Sequence, residues 1–177
     1  MDTSKFPPQL LTKINSFPNR GEWLWEFKYD GWRILAFCGF KSKARLITRK
    51  GNDYTQRFRS IANDLDTWLR GREVILDGEL LPEDLVYVVF DILFLDGEDL
   101  RNLPLIERKS VLAQFFGNPA PSSSIALCEF LQAPRGYLEQ GFINLCHAGH
   151  EGMVGKLKQS KYSGKRDGAW VKIKCCQ

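Results

Sequence analysis

Several signals that would fix the chemistry of a chain at once are missing here. Five cysteines are present, Cys38, Cys128, Cys146, Cys175 and Cys176, and no two are spaced as C-x-x-C. Cys146-His147 has no second cluster to complete a zinc site, and the other histidine, His150, stands alone. An odd count without a framework points to reduced thiols in a cytosolic protein. No apolar run reaches membrane-spanning length, and Met1 to Asn19 holds no apolar signal-peptide core. The expectation is a soluble, cytoplasmic protein with no membrane partner, nucleoid-associated if the source is bacterial. Repeats and low-complexity tracts are absent. The net charge of +4 is too mild to prove a nucleic-acid partner by itself.

What is present is more specific. The 177 residues make one domain, and 44% apolar content is enough for a core. Twelve Phe, five Trp and five Tyr suggest aromatic core layers. The positive charge is concentrated: Lys156 to Lys174 holds seven Lys or Arg and one acid, Asp167. Such a stripe is the footprint of phosphate binding. In Ala169 to Lys174 apolar residues alternate with lysine at strand spacing, which places Lys172 and Lys174 on one face.

Met1 to Arg20 reads as an irregular lead-in and residues 21–177 as the folded domain. Strands are expected at Glu22 to Phe27, Trp32 to Cys38, Ala44 to Thr48, Glu73 to Leu80 and Leu85 to Leu95, then at Met153 to Leu157 and Ala169 to Lys174. Helices are expected at Tyr54 to Leu69, ended by Gly71, at Pro104 to Phe116, and at Arg135 to Ala148. Ser122 to Phe130 reads as a loop with a short strand. Without regular strand-helix alternation, the fold class is α+β, with mainly antiparallel sheets flanked by helices.

Lys28 carries the chemical argument. It follows an aromatic strand and precedes the Asp30-Gly31 turn, where an amine is both desolvated and presented. Desolvation and cationic neighbours favour the neutral, nucleophilic form of a lysine. A surface lysine beside a hairpin turn is the bland alternative. Nucleotidyl transfer needs a nucleophile, cations on phosphate oxygens, a divalent metal and a base pocket. Arg33 lies one turn beyond Lys28, and Arg49 ends a strand at a Gly turn. Glu79 is a carboxylate on an apolar strand, suited to a ribose hydroxyl or a metal. Phe90 lies inside the longest apolar run. Glu151 is placed to support a metal, and Lys156, Lys172 and Lys174 to neutralise an α-phosphate.

The order KYDGWR, TRKG, DGEL, FDILFLDG, EGMVGK, WVKIK resembles the covalent nucleotidyltransferase superfamily of ATP-dependent DNA ligases, RNA ligases and capping enzymes. The wording looks most like bacterial end-joining DNA ligases and spans Trp23 to Lys174. The resemblance implies a ligase-type adenylation domain of two sheets, acting in DNA repair, recombination and replication. It implies that Lys28 forms lysine-AMP, that Glu26 fixes the adenine, and that Phe90 stacks on it. Arg33 and Glu79 would contact ribose and phosphate, Arg49 a phosphate of nucleotide or DNA, and Glu151, with Glu79, a Mg²⁺ or Mn²⁺ ion. Lys156, Arg166, Lys172 and Lys174 would surround the α-phosphate of ATP. The implied partner is nicked duplex DNA. Family ligases continue into an OB-fold, and many carry a DNA-binding domain. The expectation is that this chain holds neither, either as an adenylation-domain fragment or as a minimal protein that works alone or with an OB-fold domain or a recruiting repair protein in trans. Between Glu79 and Val86 it is also shorter than the family pattern. An RNA ligase, a capping-type nucleotidyltransferase and a catalytically weak nick-binding module are the alternatives.

Overall fold

The computed structural model describes residues 2–40, 42–117 and 122–175. Its strands are β1 (Thr12–Lys13), β2 (Trp23–Phe27), β3 (Trp32–Cys38), β4 (Arg45–Thr48), β5 (Val74–Leu81), β6 (Val86–Leu95), β7 (Glu98–Asp99), β8 (Ile125–Leu127), β9 (Gly152–Leu157) and β10 (Trp170–Lys174). The helices are α1 (Arg59–Leu69), α2 (Leu105–Phe116) and α3 (Arg135–His147). One sheet has the order β1-β10-β9-β2, and the other β4-β3-β5-β6-β7 with β8 beside β6. All pairs are antiparallel except β1 with β10 and β6 with β8, as the α+β expectation required.

Period-two alternation gives each sheet an inner face towards the other sheet and an outer face under helices. Leu24, Leu35, Phe37, Ile75, Val88, Phe90 and Trp170 form the core between the sheets. Ile34, Ala36, Leu76, Tyr87 and Val89 point outward, under Ile61, Leu65 and Leu69 of α1 and Leu112 of α2. Trp25, Met153, Val171 and Ile173 cover the other outer face with Leu138 and Leu145 of α3.

Four features differ from the sequence expectations. First, Asp30-Gly31 is not a hairpin turn. β2 and β3 lie in different sheets, and these residues carry the chain between them. A Cβ on Gly31 would stand 2.4 Å from the Leu80 carbonyl oxygen, so only glycine fits that crossing. Second, α1 begins at Arg59 rather than Tyr54. The Tyr54 amide bonds back to Leu46, and the Tyr54 and Phe58 rings gather on Trp32, which holds this stretch in turns. Third, Cys146 and Cys175 form a disulfide, Cα to Cα 5.4 Å, because the end of α3 meets the residue after β10. The expectation of reduced thiols therefore fails for this pair, while Cys38 and Cys128 are free and buried. Cys176 lies outside the described residues. Fourth, the lead-in is built into the domain. β1 joins a sheet, Phe6 and Phe17 enter two cores, and buried Gln9 bonds to Asp167 and Ser163. No helix among the described residues is long and apolar enough to cross a membrane.

Candidate active site

Strand register assembles the site. On the inner face of the four-stranded sheet, alternation places Glu26 of β2, Val154 and Lys156 of β9, and Trp170, Lys172 and Lys174 of β10. The Lys28 amide donates to the Gly152 carbonyl, one step beyond the pair of Phe27 with Met153. That step sets Lys28 beside Glu151. Lys174 pairs with Gly152 in the ladder and reaches Glu151 from the other side. A Cβ on Gly152, at φ 144°, would stand 2.1 Å from the Ile173 carbonyl oxygen, so this tight approach needs glycine.

Opposite, the six-stranded sheet presents Arg33 of β3, Glu79 of β5 and Phe90 of β6. One pocket is lined by Glu26, Lys28, Arg33, Glu79, Phe90 and Lys156, all expected from the sequence, together with Leu11, Tyr29, Val154 and Trp170. Glu151, Lys172 and Lys174 stand at its Lys28 end. The Lys28 ammonium pairs with one Glu151 oxygen and Lys174 with the other at 2.7 Å. Burial alone would raise the Glu151 carboxyl, but hydrogen bonds from Lys174 and Lys28 hold it below its ordinary value. Burial and the neighbouring charges of Lys28 and Lys174 lower Lys172.

Some expected residues are engaged otherwise. Arg33 donates to both oxygens of Asp77, at 2.8 and 2.6 Å, and to the Gln9 carbonyl at 2.8 Å. It is anchored in the floor of the pocket rather than free to follow a phosphate. Glu26 is 3% exposed and faces two lysines, Lys109 at 2.5 Å and Lys156 at 2.6 Å. Arg166 does not line the pocket itself, and donates to the carbonyl of Leu11, which does. Arg49 is exposed at the end of β4, and its guanidinium has no partner among the described residues.

The polar groups left over point to a ligand. Among the described residues, two buried side-chain nitrogens lack a hydrogen bond, Lys156 Nζ and Trp170 Nε1, and both residues line this pocket. Lys156 Nζ is at ion-pair distance from Glu26 without hydrogen-bond alignment. The Glu79 carboxylate has no hydrogen-bond or ion-pair partner there either, and burial pushes it up to about 7 despite Arg33 and Lys28 nearby. Unpaired buried donors are costly, so their clustering beside the half-buried, unpaired Glu79 carboxylate marks a place where a polar molecule completes them.

The donors suit a hard divalent ion only in part. No group of three His, Cys, Asp or Glu among the described residues could hold a metal by itself. Glu79 and Glu151 are close enough to influence each other, and two carboxylates completed by phosphate oxygens are a usual setting for Mg²⁺.

Sequence reasoning missed Asp77, Trp170 and Lys109. Asp77 stood in the DGEL motif and Trp170 in WVKIK, where each could have been read as a pocket residue. Lys109 left a fainter signal. Leu105, Arg108, Lys109, Leu112 and Phe116 share one buried helical face, and two of the five are cations.

Comparison with known proteins gives the family. The family model described as the ATP dependent DNA ligase domain matches residues 8–84 and 81–174. The multifunctional non-homologous end joining protein LigD of Pseudomonas aeruginosa is 31% identical over 95% of this chain, which spans 22% of that protein. A DNA ligase of Methanoculleus marisnigri is 32% identical over 88% of the chain, which spans 32% of it. The solved structure of mycobacterial DNA ligase D complexed with ATP and MES has a TM-score of 0.80 at 26% identity, covering 98% of this chain and 62% of that one. The chain belongs to the ATP-dependent DNA ligase domain family.

Proposed function

We propose that this chain carries the nucleotidyl-transfer chemistry of a DNA ligase, with Lys28 as the nucleophile and ATP as the AMP donor. The observation that supports it most is the convergence of Lys28, the unpartnered Glu79 and two unsatisfied buried donors on one pocket backed by Phe90.

The Lys28 ammonium first gives up a proton to solvent, and the neutral amine then attacks the α-phosphorus. A P–N bond forms, and the bond from that phosphorus to the bridging oxygen breaks. Pyrophosphate leaves with the electron pair. Glu151, already paired with Lys28, is placed to take up the proton that the nitrogen loses. Lys172 and Lys174 gather near Lys28 and Glu151, suited to charge that builds on the phosphoryl oxygens, and Lys156 lines the same pocket. Glu26 faces the base, Phe90 offers it a ring, and Glu79 is free for a ribose hydroxyl or for Mg²⁺. A divalent ion, when bound, would neutralise phosphate charge. In the second transfer the oxygen of a 5′-phosphate at a DNA nick attacks the same phosphorus. The P–N bond breaks and Lys28 departs as an amine, taking up a proton. Finally a 3′-hydroxyl attacks the activated 5′-phosphorus, AMP leaves, and the hydroxyl proton passes to a base. Arg49 and Arg166, exposed and basic, suit the DNA backbone.

Intact-protein mass after incubation with ATP and Mg²⁺ tests the first step. A gain of one AMP in the wild type and none in Lys28→Ala is expected. No gain in the wild type, even with an OB-fold domain supplied in trans, would sink the assignment. Running GTP beside ATP, and nicked RNA beside nicked DNA, separates a ligase for DNA from an RNA ligase or capping enzyme.

A further inference from the structure

One carboxylate in this pocket serves two lysines, and the two are not equivalent. Lys109, on α2 and outside the pocket lining, donates to Glu26 Oε1 at 2.5 Å, with both side chains 3% exposed. The Phe130 ring centroid is 5.5 Å from its Nζ. Lys156 stands 2.6 Å from Glu26 Oε2 without an aligned hydrogen bond. Its Nζ is 4.0 Å from the Phe90 ring centroid and 4.1 Å from that of Trp170. Two buried ammonium groups on one carboxylate leave a cation more than neutrality needs, and an uncompensated buried charge is expensive.

The space is short as well. The pocket is narrow, about 60 Å³, and opens to solvent on one side, so a base that stacks on Phe90 competes for the face of that ring. Two cations lie over that ring, Arg33 at 5.1 Å and Lys156 at 4.0 Å. Arg33 is held by both oxygens of Asp77 and by the Gln9 carbonyl. Lys156 has no such anchor, so Lys156 is the group that gives way.

We propose that Lys109 is the fixed counter-ion of Glu26 and Lys156 the exchangeable one. Entry of the nucleotide moves Lys156 off Glu26 and the Phe90 ring towards the α-phosphate, while Lys109 keeps Glu26 aimed at the base. Lys109 is thus a positioning residue, and this role rests on the nucleotide-binding reading above. Burial disfavours charge on both lysines. Glu26 nonetheless leaves Lys109 raised, while Lys156 stays lowered. That difference fits one permanent and one releasable ion pair.

The test compares wild type with Lys109→Met, Lys109→Gln and Lys109→Arg. AMP affinity is measured by calorimetry, and the single-turnover rate of lysine-AMP formation is followed against ATP concentration. Removing the charge is expected to weaken AMP binding and raise the half-saturating ATP concentration about tenfold to a hundredfold, with a smaller effect on the saturating rate. Lys109→Arg is expected to recover most of the affinity. Combining Lys109→Met with Lys156→Met should cost less than the sum of the two, since both act on Glu26. If Lys109→Met does not fold, Lys109→Gln, which keeps a donor to Glu26 without charge, carries the comparison. Wild-type affinity in Lys109→Gln, or equal impairment in the Met and Arg variants, overturns the assignment of Lys109 alone. Absence of both adduct and AMP binding in the wild type overturns the nucleotide reading itself.

Discussion

Lys28 and Glu151, 123 residues apart in the chain, meet in an ion pair because β2 and β9 are aligned with Phe27 opposite Met153. The same carboxylate holds Lys174. Glu151 therefore sets the position of the nucleophile and of a phosphate-facing lysine together. Glu151→Gln is expected to slow AMP-adduct formation roughly a hundredfold. Stability should change by no more than about 1 kcal/mol, since the pairs are partly exposed. Rapid-quench adenylation beside a thermal melt checks both. A wild-type rate in the variant would remove Glu151 from the proton-transfer scheme.

Glu79 makes the free protein sensitive to pH. Its carboxyl is raised to about 7 from 4.5, so between those values the folded state binds more protons than the unfolded chain. Stability from this group is full below pH 4.5 and is lost as pH rises through 7, by roughly 3 kcal/mol. Urea unfolding of the wild type against Glu79→Gln from pH 4.5 to 8 reads this directly. The variant should lose that part of the pH dependence. If Glu79 meets a divalent ion on nucleotide binding, binding near pH 6.5 should also release a proton, visible by calorimetry in two buffers of different ionisation enthalpy.

The ion pair of Arg108 with Asp91 is a fold determinant. Both side chains are 0% exposed, with two hydrogen bonds at 2.9 and 2.8 Å. Arg108 also donates to the carbonyls of Leu103 and Ser160. Arg108→Leu leaves Asp91 charged and buried, and is expected to cost about 3–5 kcal/mol. A shift in the urea midpoint corresponding to less than about 1 kcal/mol would contradict this.

The Cys146–Cys175 bridge closes a loop with a sequence separation of 29. Chain-entropy reasoning gives it about 3.6 kcal/mol. Dithiothreitol should lower the melting temperature, and Cys146→Ser should abolish the response. Cys38 and Cys128 should resist alkylation in the native state, because burial pushes both thiols up, Cys128 to about 12.

Most strands and the pocket residues were legible because strand periodicity and the motifs are local. The apolar run of Leu85 to Leu95 became β6, and WVKIK became β10, with its lysines on one face. The start of α1 was not legible, since the Trp32, Tyr54 and Phe58 rings meet only in the folded chain. Nor was the disulfide, whose partners are brought together by the docking of α3 on β9 and β10.

The sequence by itself determined the chemical groups, the alternation that turns Glu26, Lys156, Lys172 and Lys174 towards one cleft, and the glycines that permit Gly31 and Gly152 to pass close to neighbouring backbone. Tertiary structure decided who is paired with whom. It sent β2 and β3 into different sheets, tied Arg33 to Asp77, and brought Lys109 to Glu26 from a helix 83 residues away. A buried charge settles on whichever opposite charge the packing delivers, and local pattern carries no record of that.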